Sequence, residues 1–254
     1  MKIRTIHYAL IMTVLTVSFT AGVPVYASEM DDRIESSARQ SYVFKTYLKG
    51  DDIEIKSRDG AVTLTGLVSE HSHKSLANET VASMPGVISV DNRLELKGAA
   101  PTAHSDAWLA AKVRTSLQYH RSVSASKTEI AVKDGIVTIW GTAATQAQKD
   151  LTTEYAQDVE GVKDVKNEMT VSNTSKTTQT TLGEDIDDAS ITAQVKMSLL
   201  SHRSTSALST KVETSKGVVT LYGKAKNAAE KDLAGKLAND INGVNSVTNR
   251  MSIE

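Results

Sequence analysis

The sequence predicts an α+β protein built as three tandem two-layer sandwiches. Each runs α-β-β-α-β, with a three-stranded sheet covered by two helices. Two observations predict this. The stretch 59–66 (DGAVTLTG) recurs at 134–141 and 216–223, with final glycines 75 and 82 residues apart, the mark of a repeated module. Around each copy, apolar residues alternate at period two and, farther out, recur at helical spacing.

Each module opens with a helix. In the second, Asp106 reads as the N-cap, with Leu109, Val113 and Leu117 on one face; in the third, Asp188 reads as the cap, with Ile191, Val195 and Leu199. In the first, Ile34 and Ala38 match the spacing, but Tyr42, Val43, Phe44, Tyr47 and Leu48 blur the face. Aligning Val43 with Val113 and Val195 makes the first helix-to-strand connection five residues tighter.

A strand follows, with Ile53 and Ile55, then Ile130 and Val132, then Thr210 and Val212 on its inner face. The turn is Asp59-Gly60, Asp134-Gly135 and Lys216-Gly217, whose type I′ hairpin takes positive φ at both residues. The next strand turns Val62/Leu64, Val137/Ile139 and Val219/Leu221 inward and is expected to stop at Gly66, Gly141 and Gly223. The second helix carries Leu76/Thr80/Met84, Leu151/Tyr155/Val159 and Leu233/Leu237/Ile241, and ends at Gly86, Gly161 and Gly243, read as C′ residues. The last strand places Asn92, Asn167 and Asn249 on an otherwise apolar face, where a buried amide must find partners; they read as ties to a neighbouring turn or as bulge markers.

The boundaries expected are a cleaved signal peptide at 1–27, modules at 30–98, 105–172 and 185–254, and a Ser/Thr-rich linker at 173–184. Lys2 and Arg4 precede an apolar run at 9–17, and Val25-Tyr26-Ala27 supplies small residues for cleavage. The run is short of the ~20 residues of a spanning helix, so no transmembrane segment is expected after signal removal. An exported chain beginning near Ser28 is expected from this; a soluble, periplasmic one is what the family resemblance described next implies. There are no cysteines, which excludes disulfides, thiol catalysis and an acylated anchor. A net charge of −1 gives no bulk pull toward nucleic acid, which is not expected as a partner.

The residues Asp59-Gly60, Val62 and Leu64, Gly86-Val87 and Val90-Asp91-Asn92 carry a family resemblance, as do Gly161-Val162 with Val165-Lys166-Asn167, and Gly243-Val244 with Val247-Thr248-Asn249. Three times over, the pattern resembles the bacterial BON domain and covers nearly all of the chain after the signal. The resemblance implies an envelope protein of a diderm bacterium, often linked to stress, without recognised catalytic residues or cofactors. It implies binding to phospholipid surfaces or other envelope components. A soluble relative with two modules is regarded as chaperone-like toward exported proteins, so exported or outer-membrane clients are the alternative partners.

No catalytic constellation emerges from the residues, and the chain is not expected to be an enzyme. His71 and His73 at i, i+2 do not share a helix face, so no metal site is expected. His120-Arg121-Ser122 and His202-Arg203-Ser204 recur in register and read as cations favoured near a helix C-terminus. The outer face of the central strand carries Ala61, Thr63 and Thr65 in the first module, Ile136, Thr138 and Trp140 in the second, and Val218, Thr220 and Tyr222 in the third. Ile136, Trp140, Val218 and Tyr222 are the candidate contact surface, for a partner or for another module. A fold over their own strand end is the other reading.

Overall fold

The computed structural model describes residues 24–98, 101–123, 128–172, 186–205 and 210–254. The linker at 173–184 and the signal segment up to residue 23 lie outside the described residues. Among those described, no helix is long and apolar enough to cross a membrane.

Module 1 comprises α1 (Pro24–Gln40), α2 (Tyr42–Thr46), β1 (Asp52–Arg58), β2 (Ala61–Val68), α3 (His71–Ala82), β3 (Ser89–Asn92) and β4 (Glu95–Leu96). Module 2 repeats this as α4 (Asp106–Gln118), β5 (Thr128–Lys133), β6 (Ile136–Ala143), α5 (Gln146–Gln157), β7 (Asp164–Asn167) and β8 (Thr170–Val171). Module 3 comprises α6 (Asp188–Ser201), β9 (Thr210–Ser215), β10 (Val218–Ala225), α7 (Ala228–Asn239), β11 (Ser246–Asn249) and β12 (Ser252–Ile253). The central strand of each sheet pairs antiparallel with the strand before it and parallel with the last strand, which is broken into two short pieces.

The breaks have a common cause. Asn92 donates from Nδ2 to the Lys74 carbonyl at 2.9 Å and accepts from Leu94 N–H at 3.2 Å. Asn167 and Asn249 do the same with Lys149 and Met169, and with Lys231 and Met251. The amide thus satisfies a helix carbonyl and a strand N–H at once, where the edge strand leaves the ladder. The central strand also bends there. It does not stop at Gly66, Gly141 or Gly223 but runs two residues beyond each. Gly66 has φ 118°, and a Cβ on it would strike the Asp52 carbonyl oxygen across the ladder. The hairpin turns have positive φ at both central residues: 51° and 75°, 55° and 82°, 51° and 72°.

One acid in each first helix holds that turn. Asp106 accepts from Asp134 and Gly135 N–H at 2.7 and 3.0 Å, and Asp188 from Lys216 and Gly217 N–H at 2.7 and 2.8 Å. Asp31 takes Asp59 and Gly60 N–H at 2.7 and 3.0 Å. Asp106 and Asp188 are therefore not the N-caps. Ser105 and Asp187 cap those helices, accepting from Trp108 and Ser190 N–H. The same register removes the supposed shortening of module 1. Asp31, Asp106 and Asp188 stand equally far before their turns, so Ala38, not Val43, matches Val113 and Val195. What differs is a break at Ser41, which accepts from Phe44 N–H and starts α2.

The core lies between each sheet and its helices. Ile55, Val62, Leu64 and Val68 meet Ile34, Ala38, Ala77 and Val81 in module 1. In the second helices the expected row is buried at Leu76, Thr80, Met84, Val159, Leu237 and Ile241, and a second row one position on is buried beside it. Thr152 and Ala156, and Ala234 and Ala238, are buried, whereas Leu151 is exposed. The glycines after these helices are not C′ residues either. The C-caps are Ser83, Asp158 and Asp240, and Gly86, Gly161 and Gly243 lie three residues beyond them.

The cores are not three equal units. Modules 1 and 3 share one continuous apolar cluster, which Tyr119 of module 2 joins, while the rest of module 2 forms its own. The hub is α6, buried on nearly every side.

Candidate contact surfaces

Modules 2 and 3 meet end to end through their helix termini. His120, after α4, forms an antiparallel bridge with Ile241, and His202, after α6, forms one with Val159. Arg121 N–H donates to the Asp240 carbonyl at 2.8 Å, and Arg203 N–H to the Asp158 carbonyl at 3.0 Å. The carbonyl ends of α7 and α5 are thus satisfied by the neighbouring module. His120 Nδ1 lies 3.2 Å from Asp240 Oδ2, and His202 Nε2 lies 3.1 Å from Asp158 Oδ2. The two His-Arg-Ser segments are therefore halves of an inter-module clamp rather than cations serving their own helix ends.

The missed partners are Asp158 and Asp240. An acid at a helix C-terminus is unfavourable against the helix dipole, so its presence there needs a cation nearby. A second signal was correlated absence. Module 1 has Lys45 where the others have histidine, and Ser83 where they have aspartate.

The two halves differ in strength. Asp240 also receives hydrogen bonds from Ser122 Oγ and from Tyr155 Oη, the latter at 2.7 Å, and Tyr155 stacks on the His120 ring at 4.0 Å. Burial pushes the Asp240 carboxyl up, but bonds from His120, Ser122 and Tyr155 hold it below the usual range. The other ring nitrogen of His120, Nε2, lies 3.1 Å from Ser198 Oγ, so module 3 holds the ring at both nitrogens. At Asp158 the counterpart of Tyr155 is Leu237, which cannot donate, and Ser204 N–H turns to His202 Nδ1 instead. Burial lowers the affinity of His202 for a proton, against the pull of Asp158.

Module 1 docks differently. The N–H groups opening α2 are taken by the start of α6: Tyr42 N–H by Asp187 Oδ2 at 2.8 Å and Val43 N–H by Ser190 Oγ at 3.1 Å. Tyr47 Oη meets Gln194 Oε1 at 3.3 Å, and its ring meets Tyr119 edge-on at 5.3 Å. Lys196 pairs with Glu79 at 2.8 Å, and Arg114 of module 2 with Glu70 at 3.0 Å. The apolar residues that blurred the first helix face thus belong to an interface.

The hydrogen bonds and ion pairs of these joints do not involve the outer sheet faces, although Val218 and Thr220 border a hollow that Ala82, Ser83 and Pro85 of module 1 also line. Trp140 is 39% exposed and donates from Nε1 to Glu168 Oε2 at 2.6 Å, so its ring lies toward its own edge strand. Ile136 is half-buried beside it. Val218 is 39% exposed, and Lys211 Nζ lies 5.9 Å from the ring centre of half-buried Tyr222. The contact surface therefore remains open to solvent, with Lys211–Glu213 paired at 2.6 Å on its border. On module 1, Ile88 is exposed beside the hairpin turn and was not singled out from the sequence. The structural glycines lie in the hairpin turns, within the central strands and after the second helices, and the asparagines tie the edge strands to those helices.

His73 Nδ1 sits 2.5 Å from Asp51 Oδ2, with Ser69 Oγ 3.1 Å from the same nitrogen. Serine and acid compete for one nitrogen instead of bracketing the ring, so the trio is not arranged as a nucleophile and base. Among the described residues, no group of three or more His, Asp or Glu is placed to hold a metal ion.

The BON domain model matches residues 30–98, 105–173 and 187–254. Osmotically-inducible protein Y of Escherichia coli (strain K12) is 28% identical over 189 residues, covering 74% of this chain and 91% of that protein. Two solved structures of CdsD, described as a structural protein of the type III secretion system of Chlamydia trachomatis, are 17% and 16% identical. They cover 87% and 89% of this chain and 90% and 98% of theirs, each with a TM-score of 0.24, a likeness too slight to carry an argument.

Proposed function

The chain belongs to the BON domain family, and from that premise we propose that it is an exported, non-catalytic binding protein of the bacterial envelope, related to osmotic stress. In this reading a signal peptide is removed near Ala27, and three modules at 30–98, 105–172 and 185–254 act in the periplasm. They associate with phospholipid or other envelope surfaces. The observation that carries the reading is the division of labour on the modules. Helix ends are consumed by inter-module joints, whereas the outer faces with Ile136, Trp140, Val218 and Tyr222 stay uncovered.

The test takes protein released from the periplasm, whose intact mass should give a start near Ser28. It is pelleted with phosphatidylglycerol–phosphatidylethanolamine vesicles, alongside Trp140→Ala, Tyr222→Ala and the double variant. Association should fall in the variants, most in the double, while the melting temperature holds. A fall in melting temperature with association intact would assign the rings to the fold and overturn the reading.

A second reading, chaperone-like holding of exported clients, is favoured by one observation. Cations around the inter-module surfaces are matched by acids, as in Lys196–Glu79, Lys112–Glu160 and Arg114–Glu70, leaving weak attraction for anionic lipid. Suppression of the aggregation of reduced lysozyme without vesicles distinguishes this reading from the first.

A further inference from the structure

Two hollows of about 400 and 580 Å³ adjoin one another where the three modules meet. Both are bordered by His71 and Ser75 of α3 and by Met197 and Leu200 of α6, so together they make one groove. The larger ends against Trp108 and Ala111 of α4, so no single module contains the site. Each volume is of the order of known ligand sites, roughly 300–1,000 Å³. Leu200 stands between the hollows and is 51% exposed, on a helix that is otherwise almost wholly buried.

Of the five lysine and arginine side chains bordering the hollows, all but Lys74 stand within 4.0 Å of a carboxylate, and this sets the class of ligand. Arg114 is paired with Glu70 at 3.0 Å, Lys112 with Glu160 at 3.6 Å and Lys196 with Glu79 at 2.8 Å. Lys112 also covers the Trp108 ring, 4.5 Å from its centre. An anionic head group would have to displace a carboxylate at each of these cations, at a cost in both Coulomb energy and desolvation. A neutral ligand meets no such opposition. The rim offers Ser72, Ser75 and Asn78 along one helix, hydroxyl and amide groups that can give and take hydrogen bonds. A peptide main chain presents donors and acceptors at every residue, and alternate side chains of an extended segment lie on one side.

We propose that this groove binds an extended, uncharged stretch of unfolded polypeptide, with alternate apolar side chains seated in the two hollows on either side of Leu200. The proposal rests on the second reading above and assigns it a site. It is separate from the outer sheet faces.

The chain has two tryptophans, so Trp140→Phe leaves Trp108 as the sole reporter in the full-length protein. The probe is a short capped peptide of alternating leucine and serine, with an all-serine peptide and phosphatidylglycerol vesicles as the other arms. The leucine peptide should shift Trp108 emission saturably, and the other two arms should not. Leu200→Lys, at an exposed position, should keep the melting temperature and weaken the peptide about tenfold or more, the equivalent of one lost apolar anchor. No saturable shift, equal affinity in Leu200→Lys, or a shift with vesicles in place of peptide would overturn the proposal. Reduced lysozyme separates the two claims. If Leu200→Lys still suppresses its aggregation like the parent, clients are held elsewhere and the groove assignment falls. If the parent binds the peptide but does not suppress aggregation, the groove stands and the chaperone-like reading falls.

Discussion

Modules 2 and 3 join by giving and receiving the same groups in both directions, whereas module 1 joins module 3 through contacts that have no mirror image, α2 donating to α6 and Lys196 donating back to Glu79 of α3. In the reciprocal joint, each module contributes a histidine and an arginine N–H to the other's helix-ending aspartate. In the other joint, α2 supplies N–H groups and a phenol, and α6 supplies the acceptors. The difference teaches how repeats diversify. Two modules that keep the same motif at the same register can pair as pseudo-symmetric equals, as identical subunits do. A module that has lost both halves, with Lys45 and Ser83 in their places, must dock through a different surface. The price is a hub helix that both joints share.

The largest expected effect tests that sharing. Tyr119 is fully buried and touches Tyr47 across the module 1 joint, while its carbonyl accepts from Asn242 N–H of module 3. Tyr119→Ala should cost about 3–5 kcal/mol, as large aromatic truncations in cores do. Calorimetry should then show more than one transition. A single transition at an unchanged temperature would mean that the joints do not communicate through this ring.

The two halves of the reciprocal joint should respond unequally. Asp240→Ala strands Ser122, Tyr155 and His120, and should cost about 2–3 kcal/mol. Asp158 is 40% exposed at its side chain with fewer donors, and Asp158→Ala should cost under about 1 kcal/mol. Equal costs in denaturant titrations would show that Tyr155 does not set the asymmetry.

The smallest effect is the pH dependence of the weaker half. Burial holds the His202 proton affinity below its ordinary value of 6.5, so the folded chain binds fewer protons there than the unfolded chain. This contribution is present in full above pH 6.5 and is lost as acid takes the pH down toward the lowered folded value. Midpoints measured at pH 7 and pH 5 should differ more for the parent than for His202→Gln. A larger drop in the variant would reverse the assignment.

The module itself was readable because its determinants are local. An Asp-Gly turn, alternating valines and isoleucines, and a helical row each declare themselves within a dozen residues. What was misread depends on distant partners. Asp106 and Asp188 have the chemistry of a cap, but their carboxylates reach a turn elsewhere in the chain. The lining of α6 was missed because Ala189, Ser190, Ala193 and Ser198 do not register as an apolar stripe, yet packing from three directions buries them. Leu151 was placed inward because it is the larger residue, although Thr152 occupies the inward position. For the contact surface, alternation places Trp140 and Tyr222 on the outer faces, but the sequence does not reveal their bonds to Glu168 or closeness to Lys211.

The grip of Asp31, Asp106 and Asp188 on their turns also bears on the order in which the chain folds. The Asp106–Asp134 bond closes a loop spanning 28 residues, whereas the Ser122–Asp240 bond spans 118. By chain entropy alone the wider closure costs about 1.3 kcal/mol more, which favours tying each hairpin to its own helix before the joints form. Each sandwich can therefore assemble within its own stretch of chain. The Tyr42–Asp187 bond of the module 1 joint spans 145 residues, so on the same ground both joints of α6 close after the sandwiches they connect.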